Sequence, residues 1–472
     1  MQIADQNHSA RDLVMDALKK AKRFEGYHAF ISMNEAQALA RADLIDQNIK
    51  NGQTVGRLAG VPFALKDNYL SPTGVTTAAA RMLDNFNAPI TATAVKRLED
   101  AGAIMIGRTN LDAFAHGSST ENSYFGPTKN AVDDSRVAGG SSGGSAVAVA
   151  LGIVPFALGS DTGGSIRQPA AFNGVIGLKP TYGTVSRYGV VAMTSSTDTM
   201  GCFAKNIDDL NLVMDIMAGH DQNDSTSRPD FWQNELPQIN PPKMKIGLVS
   251  DFMAQGVDGE VRKATLKYAE RLQAKGFQVE TVKMPILKYG LAIYYIVQPA
   301  EVASNLSRFD GVRYGFRAED SRSLDDLYAK TRSEGFMPEN KRRILIGNFV
   351  LSSGYYDAYY LKAQKARTLL VKAFADLFKD YDALLQPVSP NPAFKLGEKT
   401  DDPLAMYMED AMSVPPSLAG LPALAVPAGK TATGLPLGVQ LVGPEKGDQT
   451  LLAIANCLDG GLAYSPLAKG GE

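Results

Sequence analysis

Glycine is distributed unevenly along this chain, and its clustering restricts the fold more than any other feature of the sequence. Of the 44 glycines, 12 lie between residues 139 and 189, with serines at positions 141, 142, 145, 160 and 165 among them. An apolar stretch, residues 146–158, interrupts the segment, which excludes a flexible Gly/Ser linker. We expect a helix, a strand over Val154–Leu158, a tight turn at Gly163–Ser165 and a second helix that begins near Ile166.

Glycine-rich turns before helices often bind phosphate, but this segment lacks the patterns that do so. The P-loop places a Lys before its Ser or Thr, whereas Gly143-Gly144-Ser145 contains none. No strand precedes Gly139, as the dinucleotide-binding pattern requires. Glycine also allows a carbonyl group to approach the main chain closely. We therefore interpret the second turn as an oxyanion hole beside a nucleophilic Ser165. Three residues are expected to supply its amides: Thr162, Gly163 and Gly164.

A serine nucleophile needs a base, and histidine is the usual one. The chain has only four histidines, at positions 8, 28, 116 and 220. His116 alone lies near Gly/Ser-rich sequence, and we interpret it as a structural or substrate-loop residue. Lysine is the alternative base when burial lowers its pKa enough to leave part of it neutral. Lys66 is the candidate because it ends an apolar strand, residues 60–65.

The composition is typical of a large globular protein. Hydrophobic residues make up 44% and charged residues 21% of the 472 positions, which excludes a disordered chain or a small disulfide scaffold. A net charge of −2 leaves no basic excess for tight nucleic-acid binding. Cys202 and Cys457 are expected to be reduced. The N-terminus is polar and is not expected to be a signal peptide. The Pro-rich run 411–429 is expected to be a packed loop rather than a membrane span. We therefore expect a cytoplasmic protein.

Helical and strand patterns alternate along the chain, which predicts an α/β fold with helices on both faces of a sheet. The expected helices lie near residues 9–22, 35–50, 93–100, 110–115, 261–275 and 362–379. The expected strands, besides the one already named, lie near 61–65, 103–106, 244–249 and 277–282. No repeat or long linker divides the chain. We therefore expect one domain over residues 1–472, with a helical segment of about residues 1–55 packed on it.

Two motifs in the glycine-rich segment resemble a known family. They are Gly139-Gly140-Ser141-Ser142-Gly143-Gly144-Ser145 and the run from Gly159 to Pro169. Together they resemble the signature of the amidases, which cleave amide bonds with a Ser-Ser-Lys set. The resemblance implies the amidase-signature fold, a large mixed central β-sheet covered by helices on both faces.

The resemblance also implies roles for individual residues. Ser165 matches the nucleophile, Ser141 the proton relay and Lys66 the base, and the Gly140–Ser141 peptide bond is cis in the family. Three more residues match positions that support the catalytic groups: Ser142, Asp161 and Arg167. No metal ligands are implied.

A narrower resemblance, to the glutaminase subunits of tRNA-dependent amidotransferases, covers about residues 10–460. Segments 117–130, 304–315 and 352–360 carry it. It implies glutamine hydrolysis that supplies ammonia to convert Glu-tRNA(Gln) to Gln-tRNA(Gln), or Asp-tRNA(Asn) to Asn-tRNA(Asn).

Three residues match the positions that hold glutamine in that group: Tyr294, Arg343 and Asp410. A guanidinium suits the α-carboxylate of glutamine, and a carboxylate suits its α-ammonium group. The neighbours Arg342 and Glu409 remain alternatives for the two charged positions.

The resemblance further implies a heterotrimer with GatB-type and GatC-type subunits. Misacylated tRNA would be bound mainly through the partner, and L-glutamine by this chain. No cofactor is expected in this chain, and ATP and Mg²⁺ would be used by the partner subunit. Two other functions stay open: a free-standing amidase acting on another small amide, and a catalytically silent assembly subunit.

Overall fold

A computed structural model describes residues 9–233, 235–254 and 256–459. The two ends of the expected domain, residues 1–8 and 460–472, lie outside the described residues. Within the described ranges the chain forms fourteen α-helices and eleven β-strands. The helices are α1 (Ala10–Arg23), α2 (Glu35–Lys50), α3 (Thr93–Asp100), α4 (Gly143–Ala150), α5 (Arg167–Asn173), α6 (Ile207–Met217), α7 (Gly259–Ala274), α8 (Gly290–Asn305), α9 (Leu324–Gly335), α10 (Pro338–Leu351), α11 (Lys362–Leu377), α12 (Pro403–Met408), α13 (Val414–Leu418) and α14 (Asp448–Asp459).

All eleven strands belong to one mixed sheet. They are β1 (Phe30–Met33), β2 (Pro62–Lys66), β3 (Ile104–Thr109), β4 (Phe156–Asp161), β5 (Ile176–Lys179), β6 (Thr199–Ala204), β7 (Lys245–Val249), β8 (Gln278–Val282), β9 (Ala383–Pro387), β10 (Ala423–Lys430) and β11 (Pro436–Val442). Their order across the sheet is β1-β3-β2-β4-β6-β5-β10-β11-β9-β7-β8. Strands β3, β2 and β4 run parallel to one another, as do β9, β7 and β8, and the other neighbours are antiparallel.

Helices cover both faces of this sheet, as the alternating patterns predict. Along β10, Leu424 and Val426 belong to the core beneath α3, α6, α7 and α14. Ala425, on the opposite side of the pleat, belongs to the core shared with α1, α2, α4 and α5. A third core lies beneath α8, α11 and α13.

The parallel arrangement of β2 and β4 brings two distant parts of the chain to one edge of the sheet. Leu65 of β2 is paired with Leu158 of β4. Parallel strands present their carboxyl ends on the same side, and ligands of α/β proteins commonly bind there. Lys66 and Asp161, the last residues of their strands, therefore lie near each other although 94 residues lie between them in the chain.

Most expected helices and strands are confirmed to within a few residues. Helix α1 begins at the predicted Ser9 cap, where Asp12 N–H donates to Ser9 Oγ at 3.0 Å and Ser9 N–H donates to Asp12 Oδ2 at 3.2 Å.

Two expectations about local structure were wrong. The helix predicted near residues 110–115 is only a single 3₁₀ turn, Ala113–Ala115, with φ of 53° at Phe114. The run 411–429 is not a loop throughout, because it contains α13 and the start of β10. Pro415 and Pro416 lie in the first turn of α13, where a missing N–H removes no helical hydrogen bond.

Within the described ranges, none of the helices combines the length and the apolar character needed to cross a lipid bilayer.

Candidate functional site

Lys66 lies at the centre of a buried cluster of hydroxyl groups. Its Nζ is 2.8 Å from Ser141 Oγ, 2.8 Å from Ser142 Oγ and 2.9 Å from Ser160 Oγ. The Lys66 side chain has no exposed surface. Lys66 is the last residue of β2. Ser141 and Ser142 lie just before α4, and Ser160 lies in β4.

Burial changes the protonation of this lysine. Loss of hydration lowers the pKa of Lys66 from its usual 10.5 to about 7, against the opposing effect of the carboxylates of Asp112, Asp161 and Asp198. A substantial fraction of the amine is therefore neutral at physiological pH, as a general base requires.

The hydroxyl network favours one direction of proton transfer. Ser142 Oγ donates to the Ser160 carbonyl at 3.2 Å, so it accepts a hydrogen bond from Lys66. Ser160 Oγ already accepts from Asn68 Nδ2 at 3.0 Å and can also accept from Lys66. A neutral amine has two N–H groups and one lone pair. If a neutral Lys66 directs these two N–H groups at Ser142 and Ser160, its lone pair is left for the Ser141 hydroxyl, 2.8 Å away.

Ser165 lies next to this cluster and keeps a small exposed fraction. Ser142 N–H donates to the Ser165 carbonyl at 3.1 Å, which joins the two loops. Ser165 is 8% exposed, whereas Ser141 is fully covered. The Gly140–Ser141 peptide bond is cis. Among the described residues no hydrogen bond joins the Ser141 and Ser165 hydroxyls, a contact that commonly forms only when substrate binds.

The N–H group of Gly164, one of the expected oxyanion donors, is already engaged in another hydrogen bond. Gly164 N–H donates to Asp161 Oδ1 at 2.9 Å, so Gly164 cannot also stabilise an oxyanion. Within the described ranges, the N–H groups of Thr162, Gly163 and Ser165 have no acceptor. Of the expected residues 162–164, this contact leaves the amides of Thr162 and Gly163 available as oxyanion donors, together with the amide of Ser165.

Asp161 and Arg167 form a buried ion pair beneath this turn. Arg167 Nη2 lies 2.9 Å from Asp161 Oδ1 and Arg167 Nε lies 3.0 Å from Asp161 Oδ2, with both side chains fully covered. Burial acts to raise the pKa of Asp161, but the charge and hydrogen bonds of Arg167, the charge of Lys179 and the Ile166 amide together hold that pKa below the usual range. The ionised carboxylate also accepts from Ile166 N–H at 3.1 Å. The pair thus fixes the backbone on both sides of Ser165.

Tyr294 on α8 covers this turn. A Cβ atom added to Gly163 would lie 2.7 Å from the Tyr294 hydroxyl, so glycine is required for this approach. The next residue, Tyr295, donates from its hydroxyl to Asp410 Oδ2 at 2.9 Å. Ser413 Oγ donates to the Gly163 carbonyl at 2.6 Å and links the same turn to the segment that carries Asp410.

Arg343, rather than Arg342, is the buried member of the charge run on α10. Arg343 Nε donates to Glu339 Oε1 at 2.8 Å, and the guanidinium lies over the rings of Tyr295 and Tyr407 at 5.2 and 5.4 Å. The Arg342 side chain is 42% exposed and pairs with the same glutamate from outside.

Asp410, rather than Glu409, faces the site. Ser118 Oγ donates to Asp410 Oδ1 at 2.8 Å, and burial raises the pKa of Asp410 to about 6. The Glu409 carboxylate is engaged in the fold, where it accepts from Ser389 Oγ at 2.7 Å and pairs with Lys399. In the described part of the chain no ion pair joins Arg343 to Asp410, and Arg343 is paired with Glu339 only through Nε, so its terminal nitrogens and the Asp410 carboxylate can each meet the opposite charge of a zwitterion.

A cavity of about 270 Å³ adjoins these groups. Its wall includes Arg343, Ser118, Tyr407 and His116. A volume of this size accommodates a small amino acid. The described residues contain no group of three His, Cys, Asp or Glu side chains placed to hold a metal ion.

Sequence reasoning missed four residues that shape the site: Ser118, Ser160, Tyr295 and Asp112. Ser160 lies inside the Gly159–Pro169 motif, so its position next to β4 was available as a signal. Asp112 accepts from Thr120 N–H at 2.9 Å and orders the loop that carries Ser118. No pattern in the sequence separates Tyr295 from Tyr294, because the two are adjacent and identical residues within α8.

Comparison with known proteins agrees with this geometry. The amidase family model matches residues 12–452, which is most of the chain. The A subunit of glutamyl-tRNA(Gln) amidotransferase from Picosynechococcus is 50% identical over 443 residues, covering 92% of this chain and 91% of that protein. The protein of the same name from Streptococcus thermophilus is 47% identical over 472 residues, covering 98% of this chain and 96% of its own length.

A solved structure leads to the same assignment. The crystal structure of the A subunit of glutamyl-tRNA(Gln) amidotransferase from Thermotoga maritima superposes with a TM-score of 0.78 at 37% identity, covering 97% of this chain and 93% of that one. Both the amidase fold and the narrower similarity expected from the sequence are thereby confirmed. The chain belongs to the amidase family and, within it, to the group of glutamyl-tRNA(Gln) amidotransferase A subunits.

Proposed function

We propose that this chain is the glutaminase subunit of a tRNA-dependent amidotransferase, which hydrolyses glutamine and supplies the ammonia that converts Glu-tRNA(Gln) to Gln-tRNA(Gln). The observation that carries the proposal is the buried Lys66 amine, whose Nζ lies 2.8 Å from the Ser141 hydroxyl oxygen. Such an arrangement has a purpose only if a serine hydroxyl must lose its proton.

The proposed reaction begins with proton transfer through the buried cluster. Lys66 takes the proton of Ser141 as Ser141 takes that of Ser165, and Ser165 Oγ attacks the side-chain carboxamide carbon of glutamine. The amides of Thr162 and Gly163 stabilise the oxyanion. The proton on Lys66 returns through Ser141 to the nitrogen, the C–N bond breaks, and ammonia leaves. Water then attacks the glutamyl ester by the same relay and releases glutamate.

The proposed glutamine site uses opposite charges at its two ends. Arg343 binds the α-carboxylate and Asp410 the α-ammonium group, with Tyr294 packed over the turn that carries the oxyanion donors. Support comes from the burial of both charged groups and from their separation into different hydrogen-bond networks. An amidase for apolar amides would have no use for these two buried charges.

The partner assignments follow from the relatives, whose names identify them as A subunits of an amidotransferase. We propose that this chain acts in the cytoplasm with GatB-type and GatC-type subunits, and that the partner binds the misacylated tRNA and uses ATP and Mg²⁺. An exposed apolar surface around the C-terminal end of α10, which includes Leu345, Phe349 and Tyr355, supports the existence of an intersubunit contact. We also propose a single amidase domain over residues 1–472, supported by the single sheet that runs from β1 to β11.

The decisive experiment purifies the chain with its associated proteins from the native cell and follows both ammonia release and Gln-tRNA(Gln) formation. Ser165→Ala should abolish both with glutamine as the donor, while added ammonium chloride should restore Gln-tRNA(Gln) formation by the intact partner. Arg343→Ala and Asp410→Ala should raise the KM for glutamine at least tenfold. An unchanged KM in both variants, together with hydrolysis of another amide, would establish a free-standing amidase instead.

A further inference from the structure

His116 is held in one tautomer by its neighbours. Asn340 Oδ1 accepts from Met337 N–H at 3.2 Å, and Asn340 Nδ2 donates to the Ala113 carbonyl at 2.8 Å. These two contacts fix the orientation of the Asn340 amide, so its N–H group also faces His116 Nδ1 at 2.9 Å. The Ala113 carbonyl also lies 3.3 Å from His116 Nδ1, but the Asn340 N–H is closer and would oppose a proton on that nitrogen. We therefore assign Nδ1 as the acceptor and place the ring proton on Nε2.

The Nε2–H group that results is a buried donor without an acceptor among the described residues. The imidazole is fully covered, and burial together with the charge of Arg343 lowers the pKa of His116 to about 3. The ring is thus neutral and keeps a single N–H at physiological pH. Folded proteins seldom leave a buried donor unpaired, and such a group commonly serves a ligand.

His116 shares the wall of the 270 Å³ cavity with Arg343. Within the described ranges the only hydrogen bond of the Arg343 guanidinium is the one from Nε to Glu339. Its two terminal nitrogens therefore have no acceptor among the described residues. One carboxylate carries enough lone pairs to accept from both side chains. A neutral donor adds a hydrogen bond there without adding a second positive charge.

We propose that His116 Nε2–H donates to the α-carboxylate of glutamine beside Arg343, which makes His116 a specificity-determining residue. This inference rests on the proposed glutaminase function. The contact is made equally in the bound substrate and in the transition state, so its loss changes the KM for glutamine and leaves kcat unaltered.

The test compares His116→Phe with His116→Gln in the full chain, purified with its associated proteins. Phenylalanine keeps the planar shape and removes the donor, whereas the glutamine side chain can place an N–H group near the position of Nε2. Because a hydrogen bond to a charged group is lost, we expect His116→Phe to raise the KM for glutamine by about 10- to 100-fold. We expect His116→Gln to recover most of that loss, with kcat unchanged in both variants.

A glutamine analogue without the carboxylate, 4-aminobutanamide, separates recognition from structural damage. The inhibition constant of 4-aminobutanamide, measured in competition with glutamine, should be the same for the unaltered chain and for His116→Phe. The inference is overturned if His116→Phe leaves the KM for glutamine unchanged, or if it weakens both compounds equally. Failure of the unaltered chain to hydrolyse glutamine would instead overturn the proposed function, so the two failures can be distinguished.

Discussion

The side-chain nitrogen of Lys66 lies 2.8 Å from the hydroxyl oxygen of Ser141 in a site that water does not reach. Strand β2 ends at the lysine, while the serine precedes α4, and only the pairing of β2 with β4 brings the two loops together. Burial lowers the pKa of Lys66 to about 7, as the proposed role of a base requires, and the neighbouring hydroxyls surround its amine.

The rate of glutamine hydrolysis at saturating substrate should depend on the protonation of Lys66. Because burial lowers the pKa of Lys66 to about 7, the neutral base predominates above that pH and is lost below it. We expect kcat to be maximal above about pH 8 and to fall about tenfold per pH unit well below 7. Lys66→Arg, which stays protonated, should be inactive at every pH. A kcat that is constant between pH 5.5 and 8 would contradict the role of Lys66.

The affinity for glutamine should depend on the protonation of Asp410 rather than on that of Lys66. Burial raises the pKa of Asp410 to about 6, and only the ionised carboxylate attracts the α-ammonium group. The KM for glutamine is therefore expected to rise as the pH falls through about 6. The decrease in kcat below about pH 7 is a separate effect, which we assign to Lys66. In Asp410→Asn the KM should be higher throughout, by about 10- to 100-fold, and should no longer change near pH 6. Persistence of that change in the variant would assign the titration to another group.

The buried pair of Asp161 and Arg167 should contribute to stability as well as to activity. Arg167→Met leaves the Asp161 carboxylate buried without its cation, which is expected to lower the free energy of unfolding by about 3–5 kcal/mol. The matched control is Lys96→Met, which removes the exposed pair with Asp100 and should cost less than about 1 kcal/mol. Urea titration of both variants measures the difference. Equal losses would show that the burial of the Asp161–Arg167 pair has no energetic consequence.

Glycine at position 163 should be required for the close approach of Tyr294. An added Cβ would lie 2.7 Å from the Tyr294 hydroxyl and 2.8 Å from its Cζ, so either the ring or the oxyanion turn must move. We expect Gly163→Ala to reduce kcat/KM by about 100-fold, because displacement of a reacting group by about 1 Å has an effect of that size. Gly259→Ala on α7, where a Cβ meets nothing within 4 Å, should leave activity unchanged. Full activity of Gly163→Ala would show that the turn tolerates a side chain.

The sequence alone was sufficient to predict the α/β class and most helices and strands, and it singled out Lys66, Ser141 and Ser165, which the structure brings close together. Lys66 was predicted from the shortage of histidine in the whole chain, from the end of an apolar strand and from the family resemblance. Ser141 and Ser165 were predicted from a long motif, which is a local signal. The helices were predictable for the same reason, since the caps and the apolar periodicity of α1 lie within the segment that they determine.

The tertiary structure decided which neighbouring side chains face the site. Arg342 and Arg343 are adjacent in one helix, as Glu409 and Asp410 are adjacent in the chain, and no local pattern distinguishes them. Packing of α10 against α8 buries Arg343 against Tyr295 and leaves Arg342 in solvent. The contact between Gly164 N–H and Asp161 and the unpaired Nε2 of His116 also depend on groups that folding brings together. Residue types are written in the sequence, but burial and hydrogen-bond partners, which set the chemistry, exist only after the chain has packed.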